Sequence, residues 1–208
     1  MKIAVIGGTG KMGLAVANQL SKRHQVIIGS RDPARAREAA KGVSGGSGAD
    51  YEGAAKAADV VIVSVPYEAM GPLAGLAAAV KGKLVISVVN PLKMEGGILV
   101  FGLERGSAAE ELAKMLPGSR VATAFNNVPR AFFEREISAP FDILVAADSK
   151  QTYEEVAEIV RGIKNLRPLY AGPLSQAGIV ERITPLVLNL ASLNGTGVLT
   201  TGFVSRKS

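Results

Sequence analysis

The sequence predicts an α/β fold: a Rossmann-type, doubly wound and mostly parallel sheet with a small C-terminal helical portion. Three observations carry that prediction. Short apolar runs alternate with helical stretches along the 208 residues, the order in which crossover helices join parallel strands. The run DVVIVSVP, residues 59–66, is apolar almost throughout, as in a strand covered by helices on both faces. A glycine-rich turn, GGTGKMG, follows the first apolar run and opens the first helical stretch, the context in which G-x-G-x-x-G carries meaning.

Each element has its own local reason. KIAVI (2–6) is a strand, 11–22 a helix and QVIIG (25–29) the next strand. Asp32 caps a helix whose first residue is Pro33 and which ends near Gly42, a common pairing of N-cap and first position. GVSGGSGADY (42–51) reads as a mobile Gly/Ser surface loop. Residues 59–66 form a strand, the Ala-rich 67–80 a helix, and KLVISVV (83–89) another strand. NPLKMEGGILVFGLERG (90–106) is expected to be an irregular loop of a length usually reserved for function. Ser107, with Glu110 three residues on, makes a capping box for SAAEELAKML. SRVATAF (119–125) is a strand and NNVPRAFF (126–133) a loop entering a short helix. FDILVAA (141–147) is a strand, 150–163 a helix and LRPLYAG (166–172) a last short strand. An apolar helical tail follows. The expected division is a dinucleotide-binding domain over 1–172 and a C-terminal helical segment over 173–208.

Composition removes several chemistries. There is no cysteine, which excludes disulfides, thiolate metal sites and cysteine nucleophiles. The single histidine, His24, falls in a turn expected at the sheet edge opposite the ligand crevice. No metal site and no catalytic residue is expected. No apolar run reaches the ~18 residues of a membrane span, and MKIAVIGG is too short in its apolar part for a signal peptide; a cytoplasmic protein is expected. The net charge is +6, but aromatics make up only 5% and the cations do not cluster. That argues against a nucleic-acid partner and for small polyanionic ligands.

The glycine turn is the expected cofactor cradle: Gly8, Gly10 and Gly13, with Thr9, Lys11 and Met12 between them. The glycines permit a tight turn, backbone approach to a pyrophosphate and close helix packing, while the helix N-terminus adds positive potential. Dinucleotide enzymes that take NAD place a carboxylate about 20 residues further on, for the ribose 2′-hydroxyl. Here the second strand ends in Gly29, Ser30 and Arg31, with Arg35 one turn later. A hydroxyl and planar guanidinium forks suit a 2′-phosphate, and Gly29 is expected to leave room beside it. Asp32 is spoken for as a helix cap. The expected cofactor is therefore NADP. The loops after the later strands carry Val65 and Pro66, Asn90 and Pro91, and Asn126 to Arg130, polar but poor in proton-transfer groups. That suits hydride passing between two stacked rings, with the tail from Thr184 to Leu199 as an apolar shelf or as plain core and dimer packing.

GGTGKMG, IIGSRDP, VSVPYEA, the SAAEELA helix and above all RPLYAGPLSQAGIVERITPLVLNLASLNG resemble the NADPH-dependent reductases of the deazaflavin coenzyme F-420, nearly end to end. The resemblance implies direct, reversible hydride transfer between NADP(H) and coenzyme F-420 in a homodimer. It places Thr9, Ser30, Arg31 and Arg35 at the ribose phosphate, Asn90 and Pro91 beside the two rings, and Asn126, Val128, Thr184, Leu188 and Leu199 on the deazaflavin side. Family members often carry histidine in the loop after the sixth strand; this chain has Asn126 and Asn127, donors without a titrating proton. The competing readings are an NADPH-dependent flavin or ferric reductase of the same wider group, and an NADP sensor without turnover.

Overall fold

The structure, a computed structural model, describes residues 1–134 and 140–204. In chain order the elements are β1 (Lys2–Ile6), α1 (Lys11–Leu20), β2 (Gln25–Ser30), α2 (Pro33–Ala40), β3 (Ser47–Asp50), α3 (Tyr51–Ala57) and β4 (Val60–Val63). Next come α4 (Ala77–Val80), β5 (Leu84–Ser87), β6 (Leu92–Glu95), β7 (Ile98–Phe101), α5 (Ala108–Met115), β8 (Arg120–Thr123) and α6 (Arg130–Glu134). Last are β9 (Phe141–Ala147), α7 (Lys150–Arg161), β10 (Leu166–Gly172) and α8 (Ala177–Asn194).

Eight strands form one sheet in the order β10-β9-β8-β5-β4-β1-β2-β3. Every neighbouring pair is parallel except β8 and β9, so β9 and β10 run together against the other six. The expected mostly parallel, Rossmann-type sheet is what the chain forms. Alternation sorts the strand side chains into two cores. Ile3, Val5, Val60 and Ile62 face the layer of α1, α6 and α7, while Ala4, Ile6, Val61 and Val63 face α3, α5 and the start of α8. Burial on both faces explains why these strands are continuously apolar.

Three local expectations are corrected. The stretch 42–51, expected as a mobile loop, contains the edge strand β3, paired with β2 from Ile27–Ser47 to Ser30–Asp50. Gly48 serves packing: a Cβ there would stand 2.3 Å from the Ala36 carbonyl carbon and the Arg37 nitrogen of α2. The expected helix 67–80 is broken into two 3₁₀ turns, Tyr67–Ala69 and Gly71–Leu76, before the single turn of α4; Gly71 and Pro72 open the second turn. The expected irregular loop 90–106 contains an antiparallel hairpin, β6 to β7. Its two-residue turn is Gly96–Gly97, at φ of 55° and 82°, the left-handed pair that such hairpins require.

The tail is helical as expected. α8 keeps Pro185 in its interior and ends on Gly195 at φ 60°. One face of α8 covers the sheet and the hairpin, and the other leaves Ile179, Leu186, Leu190 and Leu193 exposed. No helix among the described residues is long and apolar enough to cross a membrane.

Candidate active site: an anion end and a ring end

The anion end is built from the tips of β1 and β2. The left-handed residue of the first turn is Gly7, at φ 82°, one position before the G-x-G-x-x-G match. A Cβ there would lie 2.5 Å from the Ser64 carbonyl oxygen and 2.8 Å from the Val65 side chain. Gly7 thus brings the Val65–Pro66 loop against the turn. A Cβ at Gly13 would stand 2.7 Å from the Gly7 oxygen and 2.9 Å from the Gly8 Cα, so Gly13 is what lets α1 pack onto the turn. α1 has Gly10 as its N-cap, no side-chain cap and no acid in its first turn. Its first N–H groups and its positive end are left for an anion.

At the tip of β2, Asp32 is a helix cap as expected: its Oδ1 accepts the Ala34 N–H (2.8 Å) and the Arg35 N–H (3.3 Å). Ser30 is buried; its Oγ accepts the Asp32 N–H (3.2 Å) and keeps its own hydrogen to donate. Arg31 and Arg35 are exposed, and no ion pair engages either one among the described residues. Gly29 does not leave ligand space. A Cβ there would meet the Ile6 side chain at 2.6 Å, so its reason is core packing.

The ring end is a cavity of about 250 Å³ between α1, the loop after β8 and α8. Its lining includes Met12, Asn90, Asn126, Val128, Thr184 and Leu188, so six of the expected site residues meet there from four separate parts of the chain. Phe125, Arg130 and Val187 line it as well. Leu199 lies beyond α8, half-buried, and is not part of the lining. Lys11, Val65, Pro66 and Pro91 are not in the lining either, nor are the residues of the anion end other than Met12.

A polar network fixes the wall of this cavity. Asn126 is 2% exposed; its amide donates to the Val89 oxygen (3.0 Å) and to Asn90 Oδ1 (3.3 Å). The Thr123 hydroxyl donates to Asn126 Oδ1 (2.5 Å). The Asn126 backbone oxygen accepts from Thr184 Oγ1 (2.7 Å) and from Asn90 Nδ2 (3.2 Å). The amide is thereby spent inside the protein and offers the cavity no free hydrogen. The loop begins at Phe125, fully buried and at φ 65°, a conformation that costs a bulky residue about 1–3 kcal/mol and persists only where its surroundings impose it.

Sequence reasoning missed Glu181, although a lone carboxylate inside the apolar stretch GIVERITP is a signal. It is fully buried and accepts the Ala108 N–H at Oε2 (2.9 Å) and the Ala109 N–H at Oε1 (3.1 Å). Glu181 therefore caps α5 from α8, beside the expected cap of Ser107 Oγ on the Glu110 N–H (3.0 Å). Burial pushes its carboxyl up to about 7, against the pull of those two N–H groups. His24 sits at the opposite sheet edge, as expected, where burial lowers its pKa.

An anion-ready glycine turn that shares Met12 with an apolar cavity, on a doubly wound sheet, defines a Rossmann-type nicotinamide-dependent oxidoreductase. Comparison with known proteins narrows the class. The family described as "NADP oxidoreductase coenzyme F420-dependent" matches residues 2–91. The chain is 42% identical to the F420-dependent NADP reductase of Methanothermobacter thermautotrophicus over 207 residues, covering 91% of this chain and 89% of that one. It is 36% identical to the F420-dependent NADP reductase of Methanocaldococcus jannaschii, over 95% of this chain and 97% of the relative. A crystal structure from Arthrobacter sp. FB24, described as a candidate F420-dependent NADP-reductase, shares the fold with a TM-score of 0.87 over 99% of this chain and 100% of that one, at 21% identity. The chain belongs to the F420-dependent NADP reductase family.

Proposed function

We propose that the protein is an NADP-dependent oxidoreductase that passes a hydride directly and reversibly between NADP(H) and coenzyme F-420. The observation that carries this reading is Met12, which lies within the glycine-turn motif and also lines the apolar cavity. A nicotinamide whose pyrophosphate rests on the turn reaches that cavity without leaving the protein. Among the described residues the lining holds one ionisable side chain, Arg130. This suits ring-to-ring hydride transfer, where alignment supplies most of the rate and no general acid is required.

In this reading Gly8, Thr9, Gly10, Lys11, Met12 and Gly13 cradle the pyrophosphate, and Ser30, Arg31 and Arg35 hold the 2′-phosphate. Val65, Pro66, Asn90 and Pro91 flank the nicotinamide. Asn126, Val128, Thr184, Leu188 and Leu199 form the deazaflavin side, drawn partly from the 1–172 domain and partly from the 173–208 segment. The protein works as a cytoplasmic homodimer. Exposed Ile179, Leu186, Leu190 and Leu193, with Ile183 between the first two, repeat at intervals of four and three along α8, the spacing of a helix-to-helix seam.

Mixing enzyme, NADPH and F-420 while following the deazaflavin absorption band tests the reading. Bleaching is expected. Tight NADP binding without bleaching would make the protein a sensor, and faster turnover with FAD or ferric chelates would reassign the acceptor.

A further inference from the structure

Beyond α8 the chain returns to the reversed edge of the sheet and is fastened there by residues that touch neither cofactor cradle. The Asp142 N–H of β9 donates to the Thr201 oxygen (3.2 Å), and the Phe203 N–H donates to Asp142 Oδ2 (2.5 Å). Arg167, facing Asp142 across the β9–β10 ladder, donates to Asp142 Oδ1 (2.5 Å) and Oδ2 (2.9 Å) and to the Phe203 oxygen (2.6 Å). Asp142 is fully buried. Burial alone would raise its carboxyl, but the bonds from Arg167 and Phe203 outweigh it and hold the group below its usual range. The clasp is thus an ionised carboxylate that grips both a neighbouring strand and the tail.

The same tail reaches the ring end through Asn127. That side chain is 1% exposed; its Nδ2 donates to Thr201 Oγ1 (2.7 Å) and to the Asp142 oxygen (2.6 Å). The Thr200 hydroxyl donates to the Asn127 oxygen (3.4 Å). Asn127 and its neighbours Asn126 and Val128 all belong to the cavity wall, in a loop that starts from the left-handed Phe125. Such a loop keeps its shape only through partners outside itself, and the tail supplies one flank of them.

We propose that Thr200–Phe203 is a strap that sets the acceptor wall, and that Asn127, Asp142 and Thr201 are positioning residues for the acceptor ring and not for NADP. This rests on reading the cavity as the acceptor site. The test uses full-length Thr201→Val, Thr201→Ser and Phe203→Pro, the last removing one N–H at an exposed position, with steady-state kinetics in both substrates. Thr201→Val and Phe203→Pro should each raise KM for F-420 roughly tenfold while KM for NADPH stays within about twofold, tenfold being the effect of one such bond. Thr201→Ser, which keeps the hydroxyl, should behave as wild type. Equal changes in both KM values, no change in either, or a serine variant as poor as the valine would overturn the strap. Amide exchange at Asn127 and Val128 gives a second reading without any acceptor: it should quicken in the valine and proline variants while the core amides stay protected. If wild type fails to bleach F-420, the functional reading falls and exchange alone decides; unaltered exchange then refutes the strap.

Discussion

The two ends of the site are built by opposite means. The anion end takes Ser30, Arg31, Asp32 and Arg35 from a single strand–helix joint, leaves both guanidinium groups exposed, and works by charge. The ring end gathers Met12, Asn90, Asn126, Thr184 and Leu188 from across the chain, buries Asn126 fully and the others in part, and in the proposed reading works by shape. Electrostatic selection can be written into six consecutive residues. A cavity of fixed shape needs a network that only the whole fold assembles.

The contrast breaks most sharply at Arg31. Arg31→Glu should weaken NADP binding by two to three orders of magnitude, about 3–4 kcal/mol at about 1.4 kcal/mol per tenfold, once lost attraction and new repulsion are both counted. NAD binding and the F-420 KM should barely move. Calorimetric titration with both dinucleotides decides, and equal losses would remove Arg31 from the phosphate pocket.

Away from both ends, where α8 caps α5, the next largest effect concerns stability. The Glu181 carboxyl lies at about 7 when folded, against an ordinary 4.5, so between those values the folded state holds a proton that the unfolded chain has released. The stability it contributes is fully present below pH 4.5 and is lost as pH rises through about 7, by roughly 3 kcal/mol. Glu181→Gln should flatten that fall in urea melts taken at several pH values. Taking the difference between the two proteins cancels His24, whose lowered pKa gives a slope of the opposite sign. Identical profiles would mean that Glu181 is ionised throughout.

A smaller effect separates wall from pocket. Asn126→Leu removes the amide that ties Val89, Asn90 and Thr123 together and should cost about 2 kcal/mol of stability. Turnover with F-420 should fall while NADP affinity holds. A matching loss in NADP affinity would mean that the two ends are one mechanical unit.

The anion end was legible because its chemistry is local: a glycine turn, a cap and two arginines need no knowledge of distant contacts. The same holds for the alternating strands and for Ser107 ahead of Glu110. The rest failed where a residue answers to something far away in sequence. Gly48 looked like loop glycine because α2, which presses on it, is not visible in its neighbours. Gly29 looked like room for a ligand until Ile6 was seen beside it. Gly96–Gly97 carries a hairpin signal that the loop reading of 90–106 passed over. Asn126 was expected at the site from the resemblance, but its engagement with Val89 depends on a contact distant in sequence. Of the six expected residues that line the cavity, Met12 could be named from the glycine turn and the other five from family resemblance, but no periodicity in the chain foretells that they meet.

The hairpin has a bearing on assembly. Asn189 of α8 accepts the Leu99 N–H at its Oδ1 (3.0 Å) and donates through Nδ2 to the Leu99 oxygen (2.7 Å). A side-chain amide thus stands where another strand would dock, at the middle of β7. An unguarded strand edge invites pairing with a second molecule and, beyond that, fibre growth. With this edge plugged from within, association is steered away from backbone zippering and towards side-chain surfaces, which close on themselves and stop at a defined number of subunits.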